Sequence, residues 1–97
     1  MSDFRFVWDS AKAAQNQRNH GVSFEEARSV FFDENARFES DPDHSVDEDR
    51  FLLLGMSYAF RILLVVHCYR EEDHMIRLIS ARKATKTERR QYEEFLK

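Results

Sequence analysis

The chain has 97 residues and a formal net charge of −3, and 42% of its residues are apolar, with nine phenylalanines among them. This composition predicts one domain over residues 1–97 with a hydrophobic core and excludes general disorder, and the two glycines and one proline argue against a multi-turn β-sandwich. The single cysteine excludes an internal disulfide and fits a reducing cytoplasm.

The first third of the chain predicts one strand and two helices. Residues 4–8 alternate and are rich in aromatic side chains, which is typical of a strand. A helix follows over residues 10–20, and Gly21 suits its C-terminal cap. Ser23 and Glu26 have the spacing of a capping box, which predicts a second, short helix. Its apolar face contains Phe24, Ala27, Val30 and Phe31.

The middle of the chain predicts a sheet. Residues 33–49 contain the only proline and most of the acidic residues, so we expect a long loop, with a short strand at 36–39. Strands are predicted over 50–57, 61–70 and 75–81, and the apolar run in the second of them indicates a central strand. Short connections between these strands predict an α+β fold, in which helices pack on an antiparallel sheet.

The C-terminal segment predicts a basic surface next to a helix. Thr85 and Glu88 form a second capping box, so we expect the last helix to start near Lys86. In the strand before it, strict alternation places Arg77 and Arg82 on opposite faces of the sheet. One face of this helix contains Glu88, Tyr92, Phe95 and Leu96.

The charges are unevenly distributed along the chain. Residues 33–49 contain eight acidic residues and one arginine, whereas residues 50–97 contain ten basic and six acidic residues. Residues 82–90 alone contain five lysines and arginines and one glutamate. A basic cluster on an acidic protein is where a polyanion is expected to bind.

Several segments along the chain together match the pattern of a known family. They are Phe6-Val7-Trp8-Asp9, Lys12-Ala13, Asn16, His20-Gly21-Val22-Ser23-Phe24-Glu25-Glu26-Ala27, Val30-Phe31, Asp33, Asp41-Pro42-Asp43-His44-Ser45, Glu48-Asp49-Arg50, Arg77-Leu78-Ile79-Ser80-Ala81-Arg82-Lys83-Ala84, Glu88-Arg89-Arg90 and Tyr92-Glu93. In these segments the chain resembles the BrnT toxin family over nearly its whole length. The resemblance implies a RelE-like ribonuclease fold and an RNA-cleaving toxin of a type II toxin–antitoxin system that inhibits translation. It also implies a BrnA-like antitoxin that neutralises the toxin and represses the shared operon, so operator DNA is contacted only through the antitoxin.

Metal-independent RNA cleavage uses the 2′-hydroxyl as the nucleophile, so it needs a base, an acid and cations that stabilise the phosphate. The chain offers residues for each of these tasks. The catalytic candidates are Arg82, His20, Arg77, Arg50, His67, Glu88 and Tyr92, and the substrate-binding candidates are Lys12, Asn16, Lys83, Lys86 and Arg89.

Most candidates have a structural alternative that the sequence leaves open. His20 either stabilises the end of its helix or acts on RNA, and His67 either fills the core or takes part in proton transfer. Each arginine contacts either a carboxylate or a phosphate. Glu88 caps the last helix, orients Arg82 or acts as a base. We expect Tyr92 in the core, with its hydroxyl at the cleft edge.

The sequence also bears on the class of function. The histidines lack the spacing of metal ligands, so we expect neither a metal nor another cofactor. No apolar run approaches the ~20 residues of a membrane helix, and the first residues do not resemble a signal peptide, so we expect a cytoplasmic protein without membrane contact. The alternative to a ribonuclease is a non-catalytic module that binds protein or nucleic acid.

Overall fold

The computed structural model describes residues 4–41 and 50–96. These residues form one five-stranded sheet and three α-helices, which confirms the predicted α+β fold. The acidic stretch 42–49, which makes up half of the predicted long loop, lies outside the described residues. The elements are β1 (Arg5–Val7), α1 (Ser10–His20), α2 (Phe24–Ser29), β2 (Arg37–Ser40), β3 (Arg50–Met56), β4 (Ile62–Arg70), β5 (Met75–Lys83) and α3 (Lys86–Phe95).

The strands lie in the order β1-β5-β4-β3-β2. Three of the neighbouring pairs are antiparallel, and β4 is interior as predicted. One pair departs from the prediction, because β1 lies parallel to β5 at the edge of the sheet. Among the described residues, no helix has the length and apolar content needed to cross a bilayer.

Local signals fix the ends of the helices. Gly21 has a φ of 67° at the end of α1, a conformation that glycine adopts without steric cost. The capping box of Thr85 and Glu88 is complete and α3 begins at Lys86, as predicted. At α2 only half of the predicted capping box forms. Ser23 accepts the N–H of Glu26, but the Glu26 carboxylate binds the side chains of Arg61 and Ser57 instead of closing the box.

Helices α1 and α2 cover one face of the sheet and leave most of the other face uncovered. Helices α1 and α2 pack against β5, and the core lies between these helices and one face of the sheet. On β4, Leu63 and Val65 are fully buried on that face, whereas Leu64 and Val66 on the opposite face are only half-buried. We call this opposite face, which α3 crosses at one end, the open face.

A β-bulge changes which residues of β5 reach the open face. Val66 pairs with Ser80 but His67 pairs with Leu78, so Ile79 is an extra residue on β5. Leu78 and Ala81 are therefore both buried on the helical side, and Arg77 and Arg82 both lie on the open face. The expectation that these two arginines lie on opposite faces is wrong, because it assumed unbroken alternation.

Candidate active site on the open sheet face

Four of the arginines on the open face lie in two rows that run across the strands. In the first row Arg37 pairs with Leu54, Leu54 with Leu64, and Leu64 with Arg82. In the second row, Arg50 and Arg77 each pair with Cys68 from opposite sides. The rows are four residues apart on β4, which corresponds to about 13 Å. The open face thus has a basic edge at each end of a strip of half-buried apolar side chains.

A cleft of about 270 Å³ lies between the first row and helix α3. Its floor is the apolar surface of β3 and β4, and its walls carry charge. Arg37 and Glu39 of β2 form one wall, and Glu88 and Gln91 of α3 form the other. An anion in this cleft would lie over an apolar floor beside Arg37, where electrostatic interactions are stronger than in bulk water.

Arg82 and Glu88 are joined by a two-pronged ion pair at the start of α3. Arg82 Nη1 and Nη2 donate to Glu88 Oε1 and Oε2 at 2.9 and 3.0 Å, and Glu88 Oε1 also accepts the N–H of Thr85 at 2.8 Å. The guanidinium beside it holds the pKa of Glu88 below its usual value, and the carboxylate in turn raises the pKa of Arg82. Glu88 therefore caps α3 and orients Arg82 at once, so these two roles are combined.

In the second row, Arg77 is more exposed than Arg50. Arg77 is exposed, and its Nη2 lies 3.6 Å from Cys68 Sγ, which is half-buried between the two arginines. Arg50 is half-buried at the start of β3. Two strand spacings separate the Cα atoms of Arg50 and Arg77, or about 10 Å.

His67 lies on the opposite side of the sheet from these arginines. Its side chain is only 1% exposed, and its ring contacts Phe31 with a centroid distance of 4.8 Å. Burial lowers the pKa of His67 to about 4, so the ring is neutral at pH 7. Phe38 and Phe51 complete the aromatic surroundings of the ring.

Asn16 and Tyr92 hold helices in place. The Asn16 amide donates to the carbonyls of Val22 and Ala81 at 2.9 and 2.8 Å and accepts the N–H of Ala81 at 3.1 Å, which ties α1 to β5. The Tyr92 hydroxyl donates to Asp33 Oδ2 at 2.6 Å and anchors α3. Both side chains are buried.

The remaining candidates are exposed cations and one exposed histidine. Lys12 and His20 lie on α1, away from the open face, whereas Lys83, Lys86 and Arg89 surround the start of α3 next to the cleft. Of the predicted residues, the structure thus brings Arg50, Arg77, Arg82 and Glu88 together on the open face, with the cations of α3 beside them.

Comparison with known proteins assigns the chain to a family. The sequence profile of a family described as "Ribonuclease toxin, BrnT, of type II toxin-antitoxin system" matches residues 8–88. The chain belongs to the BrnT family. A crystal structure of the Brucella abortus ribonuclease toxin BrnT matches this BrnT-family chain with a TM-score of 0.64 and 20% identity, over 86% of this chain and 99% of that chain. At that identity the match establishes a shared fold. A comparison with curated protein sequences found no match.

Two charged residues that line the cleft were not predicted from the sequence. Arg37 and Glu39 are two positions apart on β2, so alternation alone puts them on one face. The missing information was the pairing of β2 with β3, which brings that face to the cleft. Among residues 4–41 and 50–96, no group of histidine, cysteine and acidic side chains is arranged to hold a metal ion.

Proposed function

We propose that the chain is a toxin that cleaves RNA on the open face without a metal ion, and that this cleavage inhibits translation in the cytoplasm. The observation that supports it is the arrangement of Arg37, Arg50, Arg77 and Arg82 in two rows on one face. The first row borders a cleft that also contains two carboxylates, Glu39 and Glu88. Cleavage by the 2′-hydroxyl requires cations, a base and a proton for the leaving 5′-oxygen, and water in the open cleft supplies that proton.

The residues of the cleft divide into distinct roles. Arg82, held by Glu88, is oriented before RNA binds, so it stabilises the negative charge that develops on the phosphate. Glu88 already binds Arg82 and caps α3, so Glu39 is the carboxylate that accepts the 2′-hydroxyl proton. This scheme uses neither His20 nor His67.

The second row of arginines binds the RNA backbone away from the reacting bond. Arg77 is exposed and Arg50 is half-buried, and both lie about 13 Å from the first row along the strands. This row determines where the strand lies, and the first row acts on the phosphate that reacts.

A partner protein neutralises the toxin by covering the same face. We propose a BrnA-like antitoxin whose docking segment is acidic, because the open face carries the four arginines. Exposed ion pairs contribute only about 0–1 kcal/mol each, so tight binding also needs apolar contact. The half-buried side chains of Leu52, Leu64 and Val66 on the open face supply it. We further propose that the antitoxin, and not the toxin, contacts operator DNA.

RNA cleavage by the purified protein tests this function. Parental protein is incubated with RNA in excess EDTA, and an Arg82→Ala variant whose melting temperature lies within a few degrees of the parent's serves as the matched control. Cleavage by the parent that resists EDTA and is lost in the variant is the expected result. A parent that binds RNA but never cleaves it would instead assign the chain to the class of non-catalytic modules. Growth arrest on expression without the antitoxin tests the effect on translation.

A further inference from the structure

Phe60 occupies a position that neither the core nor the local backbone favours. It lies in the turn between β3 and β4, its side chain is 84% exposed, and its φ is 60°. Positive φ is readily adopted by glycine and tolerated by asparagine, and it is unfavourable for a bulky side chain. Folding therefore does not explain why an aromatic ring stands at this position.

The ring of Phe60 borders a groove with two cations. The groove has a volume of about 420 Å³, and Lys83 at the end of β5 and Arg89 of α3 line it together with Phe60. One carboxylate, that of Glu93, also lines it. The fourth charged side chain, Arg61, is already bound to Glu26. An exposed aromatic face beside exposed cations is an arrangement that binds single-stranded nucleic acid.

Helix α3 separates this groove from the cleft. Glu88 and Gln91 face the cleft, whereas Arg89 and Glu93 face the groove. The start of the helix between them carries Lys86, which is exposed. A strand that leaves the cleft across the first turn of α3 therefore passes Lys86 and reaches the groove directly.

We propose that the groove is a second RNA subsite, in which a base stacks on Phe60 while Lys83 and Arg89 bind the flanking phosphates. The proposal rests on the proposed function, because it assigns a further contact of the same substrate. RNA is favoured over a protein segment because Lys83 and Arg89 lie beside the ring, where they can bind the phosphates on either side of a stacked base.

The replacement Phe60→Asn separates a binding role from a structural one. Asparagine tolerates positive φ, so the melting temperature of the variant should equal or exceed that of the parent. The loss of one stacked base should weaken the affinity for 2′-O-methyl RNA, which cannot be cleaved, by about 5- to 100-fold. With cleavable RNA, KM should rise while kcat stays unchanged. Tyr58→Asn, in the same turn and 65% exposed, is the matched control and should leave the affinity as it is.

Oligonucleotide length gives a second measurement. Parental affinity should increase in a step when the RNA becomes long enough to reach from the cleft to the groove, and Phe60→Asn should abolish this step. If the parent cleaves RNA and the variant shows the same step, the subsite is refuted while the proposed function stands. If the parent does not bind RNA at any length, the proposed function itself fails.

Phe60→Leu distinguishes a protein ligand from RNA. Leucine keeps the apolar contact but cannot stack on a base, so RNA affinity should fall almost as far as in Phe60→Asn. An RNA affinity that is unchanged in both variants, with antitoxin affinity lost in Phe60→Asn and kept in Phe60→Leu, would make the groove a protein-docking site and overturn the proposal.

Discussion

Arg77 and Arg82 lie on the same face of the sheet although they are five positions apart on one strand. The bulge at Ile79 inserts one residue between them, so the alternation of side chains is shifted once. Without the bulge one of the two guanidinium groups would point into the core beneath α1 and α2, where a charge is costly. The bulge thus lets a single strand supply a cation to each row.

Replacing Arg77 by alanine should weaken RNA binding and reduce its dependence on salt. Arg77 is exposed, so its removal leaves the core intact. Each phosphate neutralised on a single strand contributes about −0.7 to the slope of log affinity against log salt concentration. The affinity for 2′-O-methyl RNA, measured from low to high salt, should therefore give a slope that is shallower by about 0.7.

Arg18→Ala is the matched control for this experiment. Arg18 lies in the last turn of α1 and is exposed, but α1 packs on the helical side of the sheet. Its slope should equal that of the parent. Equal losses of slope in both variants would show that RNA does not select the open face.

Arg82→Ala should reduce cleavage much more than stability. The removal of a group that stabilises the developing charge costs about 100-fold or more in rate. The ion pair with Glu88 is partly exposed, so it contributes at most about 1 kcal/mol, or a few degrees of melting temperature. Cleavage rates and thermal melts of the same preparation measure both effects. A variant that cleaves at the parental rate would leave Arg82 with only a structural role.

Glu88→Gln tests whether Glu88 acts through Arg82. Glutamine can still accept the N–H of Thr85, so the cap is kept while the charge on Arg82 is no longer balanced. If Glu88 is a positioning residue, the double variant Arg82→Ala/Glu88→Gln should cleave no more slowly than Arg82→Ala alone. Additive losses would instead assign Glu88 a separate step in the chemistry.

Features that depend on local sequence were predictable in this chain. The apolar run predicted a strand over 61–70, and the structure has Ile62–Arg70 as an interior strand. The spacing of Thr85 and Glu88 predicted the start of α3, because a capping box involves only neighbouring residues. The family resemblance added the fold, which the profile match and the shared architecture confirm.

Features that depend on pairing between distant segments were not predictable from the sequence. The contribution of Arg37 and Glu39 to the cleft requires the register of β2 on β3, and no local pattern encodes a register. The bulge at Ile79 is likewise not predictable from the local sequence, because Ile79 continues the apolar pattern of its strand. The prediction of a complete capping box at α2 was wrong for a similar reason, since Arg61, 35 residues away, binds the carboxylate of Glu26.

Tyr92→Phe should destabilise the fold without changing the chemistry. The Tyr92 hydroxyl donates to Asp33 Oδ2, which also accepts the N–H of Met56 at 2.8 Å. Burial and the bond to Asp33 raise the pKa of Tyr92 to about 12, so the hydroxyl is protonated at neutral pH. Loss of a hydrogen bond to a charged group should lower the free energy of unfolding by about 1.5–3 kcal/mol. Urea unfolding measures this loss, and kcat per folded molecule should stay at the parental value. A fall in kcat per folded molecule would instead make Tyr92 a catalytic candidate again.

Asn16→Ala should cost more stability than any substitution on the exposed side of α1. Strand β1 pairs with β5 only from Met75 to Arg77, and further along β5 Asn16 bonds both the N–H and the carbonyl of Ala81. Removal of the amide leaves buried backbone groups without partners, at about 1–3 kcal/mol each. Thermal melts should show a large decrease for Asn16→Ala and little change for Lys12→Ala. An Asn16→Ala variant as stable as the parent would contradict this structural role.

The stability of the protein should fall as the pH is lowered from 7 to 4.5, because His67 is buried in its neutral form. Its folded pKa of about 4 lies below the ordinary value of 6.5, so between these values the unfolded chain binds a proton that the folded chain does not. The free energy of unfolding therefore decreases as the pH falls through this window, by about 2 kcal/mol for this group at pH 4.5. Urea unfolding at both pH values measures the change.

His67→Gln should flatten this pH dependence, because glutamine does not titrate. The variant should be less stable than the parent at pH 7, since a well-packed ring among Phe31, Phe38 and Phe51 is lost. His74→Asn is the control. His74 is exposed and has a φ of 51°, which asparagine tolerates, so this variant replaces a histidine without disturbing the core. If His67→Gln loses as much stability at pH 4.5 as the parent does, other groups cause the acid sensitivity and the neutral, buried state of His67 is refuted.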